Sequence, residues 1–305
     1  MSEITDLFGN IESKKELIRD LFIEPPFSVL DSKSGSWVSR KRKWKQIGIK
    51  SEETRKAVIN LKNWSEAYDN ANTGSTYNLG TSIFDPVLCE VLYHWFCPEN
   101  GDILDPFAGG SVRGIVANYL GYKYTGIDIR QEQIDSNREQ GLDILDVNNQ
   151  PNWYVGDSNE VLNGFNKEFD FVFSCPPYAD LEVYSDLDGD ISNMPYIEFM
   201  KAYEEIIAKS CNLLKSNGLA CFVVGNVRNK EGNYRNFVND TIQCFLNNNM
   251  ELYNDAIFLE NGLNTAAMRS KKYMRNLKLV KVHQNILVFK KKDYKINNSK
   301  FRGKK

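Results

Sequence analysis

From Phe84 onward, short apolar runs alternate with amphipathic ones. FDPVLCEVLYHWF (84–96) carries apolar residues at helical spacing. Ile103-Leu104 is a brief apolar run that stops at Asp105, and a glycine-containing turn then opens a helix over SVRGIVANYLG (111–121). YKYTGIDI (122–129) reads as a strand, followed by a polar helix from about Gln131 to Gln140. NWYVG (152–156) and DFVFS (170–174) are short strands ending at polar turns. PYIEFMKAYEEIIAKSCNLLK (195–215) is amphipathic at helical spacing, and LACFVVGNV (219–227) is a buried-strand run. NFVNDTIQCFLNNN (236–249) is a further helix, and ELYNDAIFLE (251–260) and KVHQNILVFKK (281–291) close the chain as strands. Strands and helices in this alternation predict a parallel α/β sheet with helices on both faces.

Residues 1–80 lack that order and read as an irregular polar arm. A helix is expected over Ile11–Phe22, stopped by Pro25-Pro26. FSVLDSKSGSWVSRKRKWKQIGIK (27–50) is basic and interleaved with Trp37 and Trp44, and NANTGSTYNLGTS (70–82) is turn-rich. The net charge of −2 hides a separation. Residues 33–50 and 269–305 together carry +20, which leaves −22 on the other 250 residues. The six cysteines make no metal-like spacing, and two histidines give little material for a zinc or Ser-His-Asp hydrolase. The N-terminal twenty residues hold no signal-like apolar run and no stretch is long enough to span a bilayer, so a cytoplasmic protein is expected.

Candidate chemistry sits where the strands end. Asp105-Pro106-Phe107-Ala108-Gly109-Gly110 follows the first of them, and its glycines let backbone approach a ligand at a helix N-terminus. The run matches neither GxGxxG nor a P-loop, which argues against NAD and ATP. Asp128 ends the next strand, where a carboxylate can accept from two ribose hydroxyls. Asp157 and Ser158 end a third, in reach of an adenine amino group. Alone each carboxylate reads as a cap or turn residue; in step they favour an adenosine-containing cofactor. Ser174-Cys175-Pro176-Pro177-Tyr178 then follows the fourth strand.

DPFAGG, GIDI, GDS and the PPY turn, in this order, resemble the S-adenosylmethionine-dependent DNA amino-methyltransferases, which modify adenine N6 or cytosine N4. The resemblance spans roughly residues 80–290. It implies a class I methyltransferase fold (Rossmann-like, seven mostly parallel strands, the last antiparallel) over residues 81–292, after a 1–80 basic and aromatic arm and before a basic, flexible 293–305 tail. It implies S-adenosylmethionine as cofactor and double-stranded DNA as partner, in a bacterial or phage-encoded modification enzyme. Tyr178 would stack on a base flipped out of the duplex, and the Pro176 carbonyl, in the rigid Pro176-Pro177 turn, would accept from the exocyclic amine. Thr81, Ser82 and Phe84 match the segment that holds the methionine part of the cofactor. The physical logic agrees. An amine conjugated to a ring is a poor nucleophile, and fixed acceptors aimed at its N–H groups favour pyramidalisation and in-line attack on a sulfonium methyl. No metal or histidine is needed.

Cys175 departs from the pattern, which has Asp, Asn or Ser before Pro-Pro. A thiol is a weak acceptor, so the backbone carbonyl or Ser174 takes more of the orienting, or activity is altered. Covalent attack on pyrimidine C6 calls for cysteine after the prolines, so Cys175 reads instead as a near-isosteric stand-in for serine. The target base stays open. Two alternatives stay open as well: an RNA base methyltransferase, and a catalytically weak DNA-binding relative. For DNA contact the candidates are Arg40, Lys41, Arg42, Lys43 and Lys45, beside aromatics that could stack, and Arg269, Lys271, Lys272 and Arg275 in a loop between the last two strands.

Overall fold

Period-two alternation in the apolar runs builds a sheet buried on both faces. In the computed structural model, which describes residues 21–49, 84–178, 187, 189–229, 231–260 and 263–296, Ile103, Phe171, Phe173, Cys221, Val223, Ile286 and Val288 face one hydrophobic core. Leu104, Val172, Ala220, Phe222, Leu287 and Phe289 face another. The strands are β1 (Val29–Asp31), β2 (Asp102–Asp105), β3 (Lys123–Asp128), β4 (Asn152–Val155), β5 (Phe169–Ser174), β6 (Leu214–Val224), β7 (Met250–Leu259) and β8 (His283–Lys291). Helices α1 (Gly35–Ile47), α2 (Pro86–Phe96), α3 (Val112–Tyr119) and α4 (Gln131–Ile144) belong with the first core. Helices α5 (Ser158–Val161), α6 (Tyr196–Asn212) and α7 (Phe237–Asn247) cover the second.

The spatial order is β1-β7-β8-β6-β5-β2-β3-β4, and β8 is antiparallel to both its neighbours while every other pair is parallel. With β1 set aside this is the class I methyltransferase arrangement. The winding direction reverses between β2 and β5, and a crevice at the carboxyl end of such a reversal is where doubly wound sheets bind ligands. Asp105 ends β2 and Ser174 ends β5, so both stand at that point.

Two expectations are corrected. The sheet has eight strands rather than seven, because β1 adds at the edge with Val29 opposite Ile257 and Asp31 opposite Leu259. The supposedly irregular arm also contributes α1. Ser34 caps its start, its side chain accepting from Trp37 N, and Gly48 ends it at a φ of 115° that favours glycine. Trp37 and Trp44 lie seven residues apart, two turns along one face. They are 1% and 4% exposed, so neither ring is available for stacking on a nucleic acid. Instead Trp37 packs on Phe258 and Trp44 on Tyr119. Their indole N–H groups donate to Asp85 at 3.2 Å and to Glu90 at 2.9 Å. A third element was missed: the loop expected between the last two strands holds a helix, α8 (Leu263–Met274), on which Met268 and Met274 are exposed. The turn-rich 70–82 segment, the expected 11–22 helix apart from its last two residues, and 297–305 of the tail lie outside the described residues.

Candidate functional site

Asp105 is the hub of the site, and it is fully buried. Arg113 Nε donates to its Oδ2 at 2.5 Å, as does the Tyr124 hydroxyl at 2.7 Å. Ser174 Oγ donates to Oδ1 at 2.6 Å and Phe107 N at 3.1 Å. Burial disfavours the Arg113 charge, but the adjoining carboxylate more than offsets this and lifts its pKa above the ordinary value. Burial, with the Asp105 charge added, likewise keeps Tyr124 protonated. Asp105, expected as a cofactor ligand, therefore stands under the turn that follows it and fixes its shape.

That turn is closed from several sides. Arg113 donates to the carbonyls of Phe107 at 2.5 Å and Ala108 at 2.8 Å. Ala108 N donates to Ile127 O at 2.9 Å, and Asn137 from α4 donates to Gly109 O at 2.8 Å. Gly109 adopts a φ of 51°, which turns the chain into α3. Ser111, the N-cap of α3, makes no side-chain cap bond, because its hydroxyl donates to Gln140 at 2.8 Å. The first turn of α3 thus has no protein side chain on its N–H groups from the cap residue. Phe107 and Gly110 are half-buried beside it.

The two other carboxylates lie along the same edge. Asp128 ends β3, accepts from Arg130 N at 2.9 Å and lies 3.6 Å from Arg130 Nε. Asp157 caps α5 by accepting from Asn159 N at 2.8 Å, after Gly156 at a φ of 144°. Ser158 turns inward and donates to Pro106 O at 2.5 Å, so it ties two turns together. Gly189 comes back over Asp157: a Cβ on it would stand 3.1 Å from Asp157 Oδ2.

Ser174, Cys175, Pro176, Pro177 and Tyr178 leave β5 next to this turn. Ser174 is buried through its bond to Asp105, Pro176 is buried, and Cys175, Pro177 and Tyr178 are half-buried. Tyr178 meets Phe237 edge-on, with ring centroids 5.9 Å apart. Phe84 meets Phe173 edge-on at 5.8 Å and lies under the Arg113 guanidinium at 4.9 Å, so it sits beside the hub. Thr81 and Ser82 lie outside the described residues, as do 179–186 and 188 of the chain that follows Tyr178.

The basic candidates divide. Arg40 pairs with Glu90 at 2.9 Å and Lys41 with Asp85 at 2.8 Å, whereas Arg42, Lys43 and Lys45 are exposed on α1. Trp37 bonds Asp85 at the start of α2, so Lys43 stands about 9 Å further down α1, away from the carboxyl edge. Lys271, Lys272 and Arg275 are exposed and Arg269 half-buried in the β7–β8 connection, which starts and ends at that edge. Sequence reading missed Arg113, Tyr124 and Asn137. An arginine eight residues after a strand-end aspartate, on the buried face of an apolar helix, was the one sign available for the first.

No protein-family model and no curated protein matches the chain. Among solved structures it is similar to TrmN from Thermus thermophilus, at 13% identity and TM-score 0.43 over 68% of this chain and 48% of that one. It is similar to a TehB-like SAM-dependent methyltransferase from Corynebacterium glutamicum, at 17% and 0.42 over 76% of this chain and 98% of that one. It is also similar to magnesium protoporphyrin IX methyltransferase (ChlM) from Synechocystis with bound SAM, at 12% and 0.42 over 91% and 96%. The chain spans about half the length of the Thermus protein. The fold assignment rests on the chain's own strand order, an eight-stranded class I α/β sheet with one antiparallel strand.

Proposed function

We propose that this chain transfers the methyl group of S-adenosylmethionine to an exocyclic amine, adenine N6 or cytosine N4, of a base flipped out of DNA. The observation that carries the reading is the 2.6 Å bond from Ser174 to Asp105, which locks the Cys-Pro-Pro-Tyr turn against the glycine turn at the sheet's reversal point. A base-binding turn and a nucleotide-binding turn then share one crevice.

The donor set fits an adenosyl cofactor. The first turn of α3, uncapped by Ser111, suits a carboxylate group. Asp128 would accept from the ribose hydroxyls and Asp157 from the adenine amine, with Phe107 against the apolar surface. When bound, the cofactor supplies a methyl group on a positively charged sulfur. Tyr178 would hold the target base by stacking, and the Pro176 carbonyl would accept from its amine, fixed in direction by the proline ring. Cys175 adds little acceptor strength, so orientation falls to that carbonyl. Asp105, Ser174 and Ser158 are positioning residues, each holding a turn without facing the crevice.

Mass spectrometry of nucleosides from cells expressing the protein tests this. N6-methyladenine or N4-methylcytosine in DNA supports the reading and names the base. 5-Methylcytosine would assign Cys175 a covalent role, and methylation confined to RNA would move the acceptor.

A further inference from the structure

The sheet order puts Asp128 and Asp157 on one side of Tyr178 and a group of three cations on the other. Asp128 and Asp157 follow β3 and β4 on one side of β5, and the loops after β6 and before β8 lie on the other. On that second side Lys281 Nζ stands 2.0 Å from where a Gly225 Cβ would be, and the Tyr178 hydroxyl stands 3.7 Å from the same point. Lys281 donates to Asn226 O at 3.0 Å. Lys278 repeats the arrangement one loop turn away, its Nζ 2.0 Å from where a Gly232 Cβ would be. Arg228 donates to Gly232 O at 2.8 Å and lies over the Tyr234 ring at 4.0 Å. Two glycines therefore make room for two ammonium tips, and a stacked guanidinium stands with them. Among the described residues, none of the three forms a salt bridge.

Like charges gathered on one rim repel one another, Glu260 offsets part of this at Lys281, and an anion placed among them recovers more of that free energy. Burial also pushes the Lys281 ammonium down to about 8, against the opposing pull of Glu260. His283 is lowered by burial and by Lys281 itself. A base stacked on Tyr178 brings its own sugar and phosphate with it, and this rim is the cationic side of that ring.

We propose that Lys281, Lys278 and Arg228 form a seat for a backbone phosphate of the DNA strand that carries the target base. The proposal rests on the reading above and deepens it, because it assigns the strand contact to the rim beside Tyr178 rather than to α1. The seat also gives DNA affinity a pH dependence. Lys281 is charged below about 8 in the free protein, and a phosphate raises its pKa. Affinity is then full below that value and falls as pH rises through it. The groups facing Lys281 are Glu260 at the end of β7, His283 on β8 and Tyr178 after β5. His283 titrates below its usual range and stays out of this window.

The test is fluorescence anisotropy of a labelled DNA duplex with the full chain, across salt and across pH 7–9, beside calorimetric binding of S-adenosylhomocysteine. Lys281→Gln, Lys278→Gln and Arg228→Gln should each flatten the slope of log affinity against log salt, by roughly one when all three are combined, with cofactor affinity unchanged. Gly225→Ala, which displaces the Lys281 tip, should match Lys281→Gln. Lys281→Arg should keep the affinity and abolish the fall above pH 8. Slopes unchanged in the lysine variants overturn the seat while leaving the methyl-transfer reading intact. Cofactor binding with no DNA binding by the unaltered protein overturns the DNA acceptor itself, and tighter binding of a matching RNA hairpin overturns the choice of strand.

Discussion

Asp105 and Arg113 form a buried ion pair whose loss leaves an uncompensated charge. Asp105→Asn should cost about 3–5 kcal/mol of unfolding free energy in denaturant titrations, and Ser174→Ala, which removes one bond to a charged group, about 1.5–3 kcal/mol. If Asp105 were only a cofactor ligand, the Asn variant would keep full stability and lose cofactor affinity alone. Thiol chemistry reports on a second residue. Cys89, Cys97, Cys211, Cys221 and Cys244 are buried, and burial pushes Cys211 and Cys244 up to about 12, whereas Cys175 is partly exposed. A thiol reagent should modify one of the six cysteines in the folded chain, at Cys175, with S-adenosylhomocysteine slowing the reaction. Modification of two or more would contradict the packing. Strand-end aspartates were legible in the sequence because the apolar runs stop at them. Which of them turns inward was not, since that depends on Arg113 and Tyr124 arriving from other elements.

At the scale of elements, β2 to β8 and the helices α3, α4, α6 and α7 between them were readable because each carries its own period, two residues for strands and 3.6 for helices, whereas α5 and α8 were not. Boundaries moved only modestly, as with α4, which runs on to Ile144. β1 is three residues long, too short for any period, and α1 buries only Trp37 and Trp44, with Ile47 half-buried beside them. Such elements are held by partners distant in sequence: Phe258, Asp85 and Glu90 for α1. Trp37→Ala should therefore cost about 3–5 kcal/mol, and limited proteolysis should then cut first within residues 35–49. An unchanged digestion pattern would show that α1 is held without that ring.

For the whole molecule, the charge separation legible in the sequence acquires places. Part of the first basic block is neutralised by Asp85 and Glu90, and residues 269–281 of the second lie in the connection at the carboxyl edge, whereas Lys290 and Lys291 lie at the opposite end of β8. Asp128 and Asp157 lie on one side of Tyr178, and Lys281, Lys278 and Arg228 on the other, with Glu260 beside Lys281. S-adenosylmethionine at a hundred times its dissociation constant should stabilise the chain by about 2.7 kcal/mol, read as a rise in melting temperature. A melting curve indifferent to the cofactor would remove the basis of the proposed activity.

Because β8 runs against its neighbours, Leu259 and His283 face each other across one ladder rung, and the chain between them leaves the sheet and returns at a single point. The segment is thus a cassette on a closed stem. Closure entropy grows only with the logarithm of loop length, so the insert can be shortened, lengthened or exchanged with little strain on the strands that carry it. Replacing residues 262–280 by a short glycine-serine turn should leave cofactor affinity intact and weaken DNA binding, measured by the same calorimetry and anisotropy.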